Sequence, residues 1–124
     1  MARAKEDRES KRSRDAIVSF AVRDLDRARA FYADRLGFRV LRDEAGEFVM
    51  VDAGGVALCL DLPRGKRRPR GGGTTLILRE RDIAGRCRAL RRGGVAFVRG
   101  GRAPRNWISL RDPDGHEIVF ARSL

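Results

Sequence analysis

A single histidine, His116, stands directly before Glu117, and the two cysteines, Cys59 and Cys87, have no companion cysteines nearby. A histidine–carboxylate pair can move a proton, provided a second group lies within hydrogen-bond reach. The same pair beside the turn Asp112-Pro113-Asp114-Gly115 also serves as a polar strand start. One imidazole excludes zinc sites that draw two or three histidines from one chain. Two isolated thiols read as reduced side chains rather than a disulfide framework. Of 28 basic residues, 25 are arginine, with lysine only at 5, 11 and 66. Arginine forks pair with carboxylates, phenolates and phosphates, and an arginine-favouring codon usage accounts for the bias equally well. Trp107, the one tryptophan, offers a flat surface for stacking and equally suits a core or dimer-interface position.

These side chains need elements to position them. Residues 16–22 alternate as a strand, with Val18, Phe20 and Val22 on one face. Asp24 then caps a helix in which Leu25, Ala28, Phe31, Tyr32 and Leu36 recur at helical spacing, and Gly37 stops it. Strands are predicted over residues 38–42, 47–52 and 56–61. After residues 62–73, a Pro/Gly/Arg linker, the order repeats: a strand over 74–79, then a helix capped by Asp82 that buries Ile83, Cys87 and Leu90. Strands over 93–98, 106–111 and 116–121 complete it. VRDL at 22–25 matches ERDI at 80–83, LGFRVL at 36–41 matches GGVAFV at 93–98, and GGVALCL at 54–60 matches DGHEIVF at 114–120. The chain is an internal duplication of a βαβββ unit.

Length and charge bound the rest. The 124 residues suit one domain over residues 15–124, preceded by a mobile basic tail over 1–14. Module 1 occupies about residues 15–61 and module 2 about residues 74–122. No apolar run reaches a membrane span, and residues 1–15 lack a secretory apolar region, so the cytoplasm is the expected compartment. The net charge of +11 is uneven. Residues 16–61 carry six bases and eight acids, whereas residues 62–73 carry five bases and no acid. The linker's charge either draws in an anionic ligand or scatters into solvent. A basic surface attracts nucleic acid, but residues 62–73 and 99–105 contain no interleaved aromatic, so nucleic acid is not the expected partner.

The pairing of VRDLDRARAFYADRLGF at 22–38 with ISLRDPDGHEIVF at 108–120, together with VALCL at 56–60, resembles the vicinal oxygen chelate superfamily. That family includes glyoxalase I, bleomycin-resistance proteins and extradiol dioxygenases. The resemblance spans residues 15–122 and implies an α+β fold. Two βαβββ modules would form a cupped mixed sheet with helices outside and a ligand inside. It also implies metal-ligand positions seven residues before each capping Asp and within each module's last strand. Here these are Ile17, Thr75, Cys59 and Val119, none a histidine or carboxylate. Isoleucine and valine offer no donor to a divalent ion. No metal and no cofactor are therefore expected.

Strand parity gives a conditional lining for the cup. If Val18, Phe20, Leu58, Leu60, Leu76, Leu78, Ile118 and Phe120 meet the helices, their neighbours face the ligand. The cup then holds Ser19, Cys59, Arg79, Phe48 and Met50, with Trp107, Ser109 and Arg111 on the module 2 side. Glu117 falls near the rim and His116 points away. The expected function is metal-independent sequestration of an aromatic small molecule, an antibiotic or natural product, by a homodimer of the bleomycin-resistance type. The alternative is a related lyase or isomerase using a displaced metal site or Glu117 as its catalytic group.

Overall fold

A computed structural model describes residues 16–63, 73–100 and 106–123. The predicted tail over residues 1–14 lies outside these residues, as does most of the predicted linker. Strand β1 (Ile17–Ala21) leads to a helical segment α1, which is α-helical over Leu25–Arg29 and π-wound over Ala30–Arg35. Then come β2 (Arg39–Glu44), β3 (Phe48–Asp52) and β4 (Ala57–Asp61). Module 2 repeats the order with β5 (Thr75–Arg79), α2 (Ile83–Arg92), β6 (Phe97–Arg99), β7 (Trp107–Arg111) and β8 (Glu117–Ala121). No helix among the described residues is long and apolar enough to cross a membrane.

Each module folds into its own four-stranded sheet, in the orders β1-β4-β3-β2 and β5-β8-β7-β6. The first and last strands of each module pair in parallel, and all other neighbours pair antiparallel. The duplication reaches fine detail. A register shift falls between Val40 and Arg42 in β2, and another between Phe97 and Arg99 in β6.

Both helices start as their sequences require. The Asp24 carboxylate accepts from the Arg27 amide at 3.0 Å, and Asp82 accepts from the Gly85 amide at 2.9 Å. Gly37, at φ 78°, ends α1. The π winding was not expected. The Leu36 amide donates to the Phe31 carbonyl, five residues back, at 2.9 Å. A second departure concerns residues 93–98, predicted as a strand. Gly93 and Gly94 are consumed in closing α2, where the Gly94 and Val95 amides donate back to Arg91 and Leu90, so β6 begins only at Phe97.

One apolar core joins the modules. Phe20, Leu58 and Leu60 share it with Leu76, Leu78, Ile118 and Phe120. At its centre Tyr32 is fully buried, and its hydroxyl donates to Asp112 Oδ2 at 2.6 Å. Burial, reinforced by the Asp112 carboxylate, pushes the phenol's ionisation far above its usual range. Asp112 Oδ1 accepts from the Asp114 and His116 amides at 2.9 and 2.8 Å, which shapes the DPDG turn. The His116 ring stacks on Phe20 at 4.3 Å, and its Nε2 donates to the Ala21 carbonyl at 2.7 Å. The DPDG motif is thus an inter-module bolt. His116 points into the core, away from the cup, as strand parity requires.

Candidate concave binding faces

The face of each sheet turned away from the core is the candidate site. On module 1, cross-strand register sets Ile17 and Ser19 of β1 beside Ala57 and Cys59 of β4, and places Met50 opposite Cys59 and Phe48 opposite Asp61. On module 2, Thr75 lies beside Glu117, Ile77 beside Val119, Ser109 opposite Val119 and Trp107 opposite Ala121. The faces are open in the single chain. Ile17 is 48% exposed and Ile77 50%, both on edge strands, and Trp107, at the start of β7, is 44% exposed. Phe48 and Met50 are half-buried.

The polar groups on these faces are pre-oriented. Glu117 accepts from Thr75 Oγ1 at 2.7 Å and from the buried Ser109 Oγ at 2.9 Å. These two hydroxyls hold its carboxyl below the ordinary glutamate range, with the nearby Arg111 and Arg99 guanidiniums adding to the effect. On module 1, Ser19 Oγ donates to Asp61 Oδ1 at 2.9 Å. Asp61 was missed in the sequence reading, although alternation from Ala57 and Cys59 places it on the same face. Arg99, opposite Ser109, was missed too. Arg42 was also missed, because the register shift in β2 hides its parity. It stands opposite Met50, its guanidinium lies over the Phe48 ring at 5.4 Å, and it pairs with Glu44.

The structure therefore brings Ser19, Cys59, Phe48 and Met50 together on one sheet, and Arg79, Trp107, Ser109 and Glu117 together on the other. Arg111 follows its expected parity opposite Glu117, but its Nη1 donates to the Gly115 carbonyl at 2.9 Å and it also lines a separate outer cleft.

The family-derived metal positions are poorly equipped. Ile17 and Val119 carry no donor atom, and Thr75 has already committed its hydroxyl to Glu117. Burial pushes the Cys59 thiol up, and Asp61 pushes it further, which disfavours the thiolate that a metal would take. Among the described residues no three His, Cys, Asp or Glu side chains gather as a metal site. These residues do not fit the divalent ion that the family's metalloenzymes use.

The comparisons agree with this fold. The glyoxalase/bleomycin resistance protein/dioxygenase superfamily model matches residues 16–120. A glyoxalase/bleomycin resistance protein from Streptomyces sp. CB03234 is 28% identical, with a TM-score of 0.69 over 86% of this chain and 97% of that one. TnmS3, an antibiotic binding protein from the same organism, is also 28% identical, with a TM-score of 0.69 over 85% of this chain and 91% of its own. A lactoylglutathione lyase from Agrobacterium tumefaciens shares the fold at 20% identity, with a TM-score of 0.68 over 86% of this chain and 90% of that one. No functionally curated protein matches the chain.

Proposed function

The chain belongs to the glyoxalase/bleomycin resistance protein/dioxygenase superfamily, and from that premise we propose that it binds and sequesters an aromatic small molecule without a metal. The carrying observation is the pair of solvent-open sheet faces, where Phe48 shares a face with Ile17 and Cys59, and Trp107 shares one with Thr75 and Val119. Aromatic and thioether side chains with a few fixed polar groups suit a flat, partly polar ligand. Trp107 and Phe48 supply stacking. The Glu117 clamp, Ser19–Asp61 and the Arg79 and Arg99 guanidiniums orient the ligand's polar edge. The similarity to an antibiotic binding protein supports the same reading.

One open face covers one side of a flat ligand and leaves the other in water. A second face over it roughly doubles the apolar area removed from solvent, at about 25 cal/mol per Å². A second copy of this chain supplies such a face. The register puts Arg79, Arg99, Arg111 and Glu117 on the module 2 face, an excess of positive charge. Module 1 presents Asp61 beyond its paired Arg42–Glu44 and Arg39–Asp52. Opposite signs favour module 1 of one copy against module 2 of the other, in a homodimer with two equivalent cups.

Trp107 is the only tryptophan, so its fluorescence reports the cup directly. Titration with planar antibiotics and phenolic metabolites is expected to give saturable quenching at one ligand per chain. A library with no responding member overturns the proposal. The Glu117 clamp favours a second reading, a metal-independent lyase or isomerase in which this ionised carboxylate takes a proton from the bound ligand. Turnover that survives Glu117→Gln would exclude it. Stoichiometric zinc, nickel or iron in the purified protein would instead favour an enzyme with a displaced metal.

A further inference from the structure

A cleft of about 430 Å³ opens away from the concave faces, between α1 and the end of β7. Arg27 and Arg35 of α1 and Arg111 of β7 line it, over a floor that includes Phe31, Val95 and Pro113. That volume lies in the lower range of small-molecule sites.

The winding of α1 explains why both of its arginines face this cleft. At 3.6 residues per turn, the eight steps from Arg27 to Arg35 would leave the two side chains roughly 80° apart. Ala30–Arg35 is π-wound, so each residue there turns through a smaller angle and Arg35 swings back toward the Arg27 side. Such π segments recur at functional sites.

The charges around the cleft do not cancel. Arg27 Nη2 lies 3.2 Å from Asp114 Oδ1, and Arg111 Nη1 donates to the Gly115 carbonyl at 2.9 Å. The Arg35 guanidinium has no ion pair or hydrogen bond among the described residues. Asp112 lines the cleft but is committed to Tyr32 and the turn amides. Three guanidiniums against Asp112 and Asp114 leave one positive charge unbalanced.

We propose that this cleft is a second binding site, separate from the cup, for a small monoanion with an apolar body: an aromatic or branched carboxylate. The Arg35 fork takes the carboxylate through two parallel N–H donors, and the body lies over Phe31 and Val95. Arg111 is the one residue that the cleft shares with a concave face, so occupancy is best read at Gly94, Val95 and Ala96, which line the cleft alone.

The test is a ¹H–¹⁵N NMR titration of the full chain with sodium benzoate, against benzyl alcohol and inorganic phosphate at matched ionic strength. Benzoate is expected to give saturable shifts at the Gly94, Val95 and Ala96 amides and none at Ile77 or Val119. Benzyl alcohol lacks the charge and phosphate lacks the apolar body, so both leave these amides unmoved. Arg35→Ala weakens benzoate on the order of 10- to 100-fold. Arg35→Lys weakens it less, since lysine keeps the charge and loses the fork. Any of three results overturns the proposal: no saturable shift at these amides, equal shifts with phosphate, or undiminished affinity in both Arg35→Ala and Arg35→Glu. Shifts confined to Ile77 and Val119 would place benzoate in the cup and overturn it as well.

Discussion

The two modules enter their last strands by different turns: register sets Asp52 and Ala53 where module 2 has Arg111 and Asp112, and the module 2 turn is one residue longer. In module 1 the turn before the last strand is Asp52-Ala53-Gly54-Gly55, and Asp52 Oδ1 accepts from the Gly54 amide at 2.8 Å. In module 2 it is Asp112-Pro113-Asp114-Gly115, where Asp112 Oδ1 accepts from the Asp114 amide at 2.9 Å. The closing bonds differ as well: the Ala53 amide donates to the Val56 carbonyl, whereas the Asp112 amide donates to the His116 carbonyl across the longer turn. Asp112 is buried and takes the Tyr32 hydroxyl, while Asp52 stays partly exposed and lies 3.6 Å from Arg39. The module 2 counterpart of Tyr32, counted from the capping aspartates, is Leu90, which has no hydroxyl to offer Asp52. Module 2 thus has a buried carboxylate where module 1 has Ala53, and the Tyr32 hydroxyl makes that carboxylate a bolt between the modules.

The largest expected effect breaks that asymmetry. Asp112→Ala removes the acceptor for the Tyr32 hydroxyl and two turn amides, all buried or nearly so. It should cost about 2–4 kcal/mol in chemical denaturation. Asp52→Ala should cost about 1 kcal/mol or less, because water replaces what it loses. Equal costs would mean that the buried bond contributes nothing beyond the turn itself.

Burial of the same hydroxyl, with the Asp112 carboxylate beside it, sets the alkaline limit. Tyr32's folded ionisation lies above its unfolded value of about 10. The stability it supplies is therefore complete below about pH 10 and is lost as pH climbs from there toward the folded value. Denaturation midpoints of the wild type should fall above about pH 10. Tyr32→Phe, less stable throughout, should lack that part of the decline.

On the concave faces the modules differ in the opposite sense. Trp107 and Phe48 occupy matching strand positions, but Trp107 is 44% exposed, while Phe48 is half-buried with Arg42 over its ring. The exposed indole has more surface left to give a ligand. For an aromatic ligand that quenches Trp107, calorimetry should show a loss of about tenfold in affinity with Trp107→Ala. The loss should be smaller with Phe48→Ala. The reverse order would place the ligand on the module 1 face.

Much of this was legible in the sequence because it is local. The caps at Asp24 and Asp82, the stop at Gly37 and the strand alternation depend on neighbours a few residues apart. The alternation also sets Trp107, Ser109 and Glu117 on one face of module 2 and Phe48 on one face of module 1, as the register has them. The unforeseen features are non-local or lie below the resolution of a periodic pattern. Tyr32 and Asp112 are 80 residues apart, and nothing near either one announces the other. Six residues of π winding carry the same apolar spacing as an α-helix, so α1 looked uniform. Residues 93–98 alternate like a strand, yet the glycines were needed to end α2. Arg42 was lost to a register shift.

The smallest effect concerns the two hydroxyl–carboxylate pairs. Module 1 has one hydroxyl on Asp61, whereas module 2 has two on Glu117, and Thr75 has the stronger influence of the pair, ahead of Ser109. Glu117's folded ionisation lies below its unfolded value of about 4.3. Its contribution to stability is thus present above about pH 4 and is lost as pH falls through the lower folded value. The group is exposed enough for solvent to screen most of that contribution, so the titration itself is the better readout. Carboxyl-detected NMR should find Glu117 titrating below the ordinary glutamate range. Thr75→Val should move it up more than Ser109→Ala does, and the double variant should bring it nearest to the ordinary value. If neither variant moves it, Arg111 and Arg99 hold the charge instead. In that case Glu117 is set by the basic character of the module 2 face, and the two modules differ in net charge rather than in hydrogen-bond design.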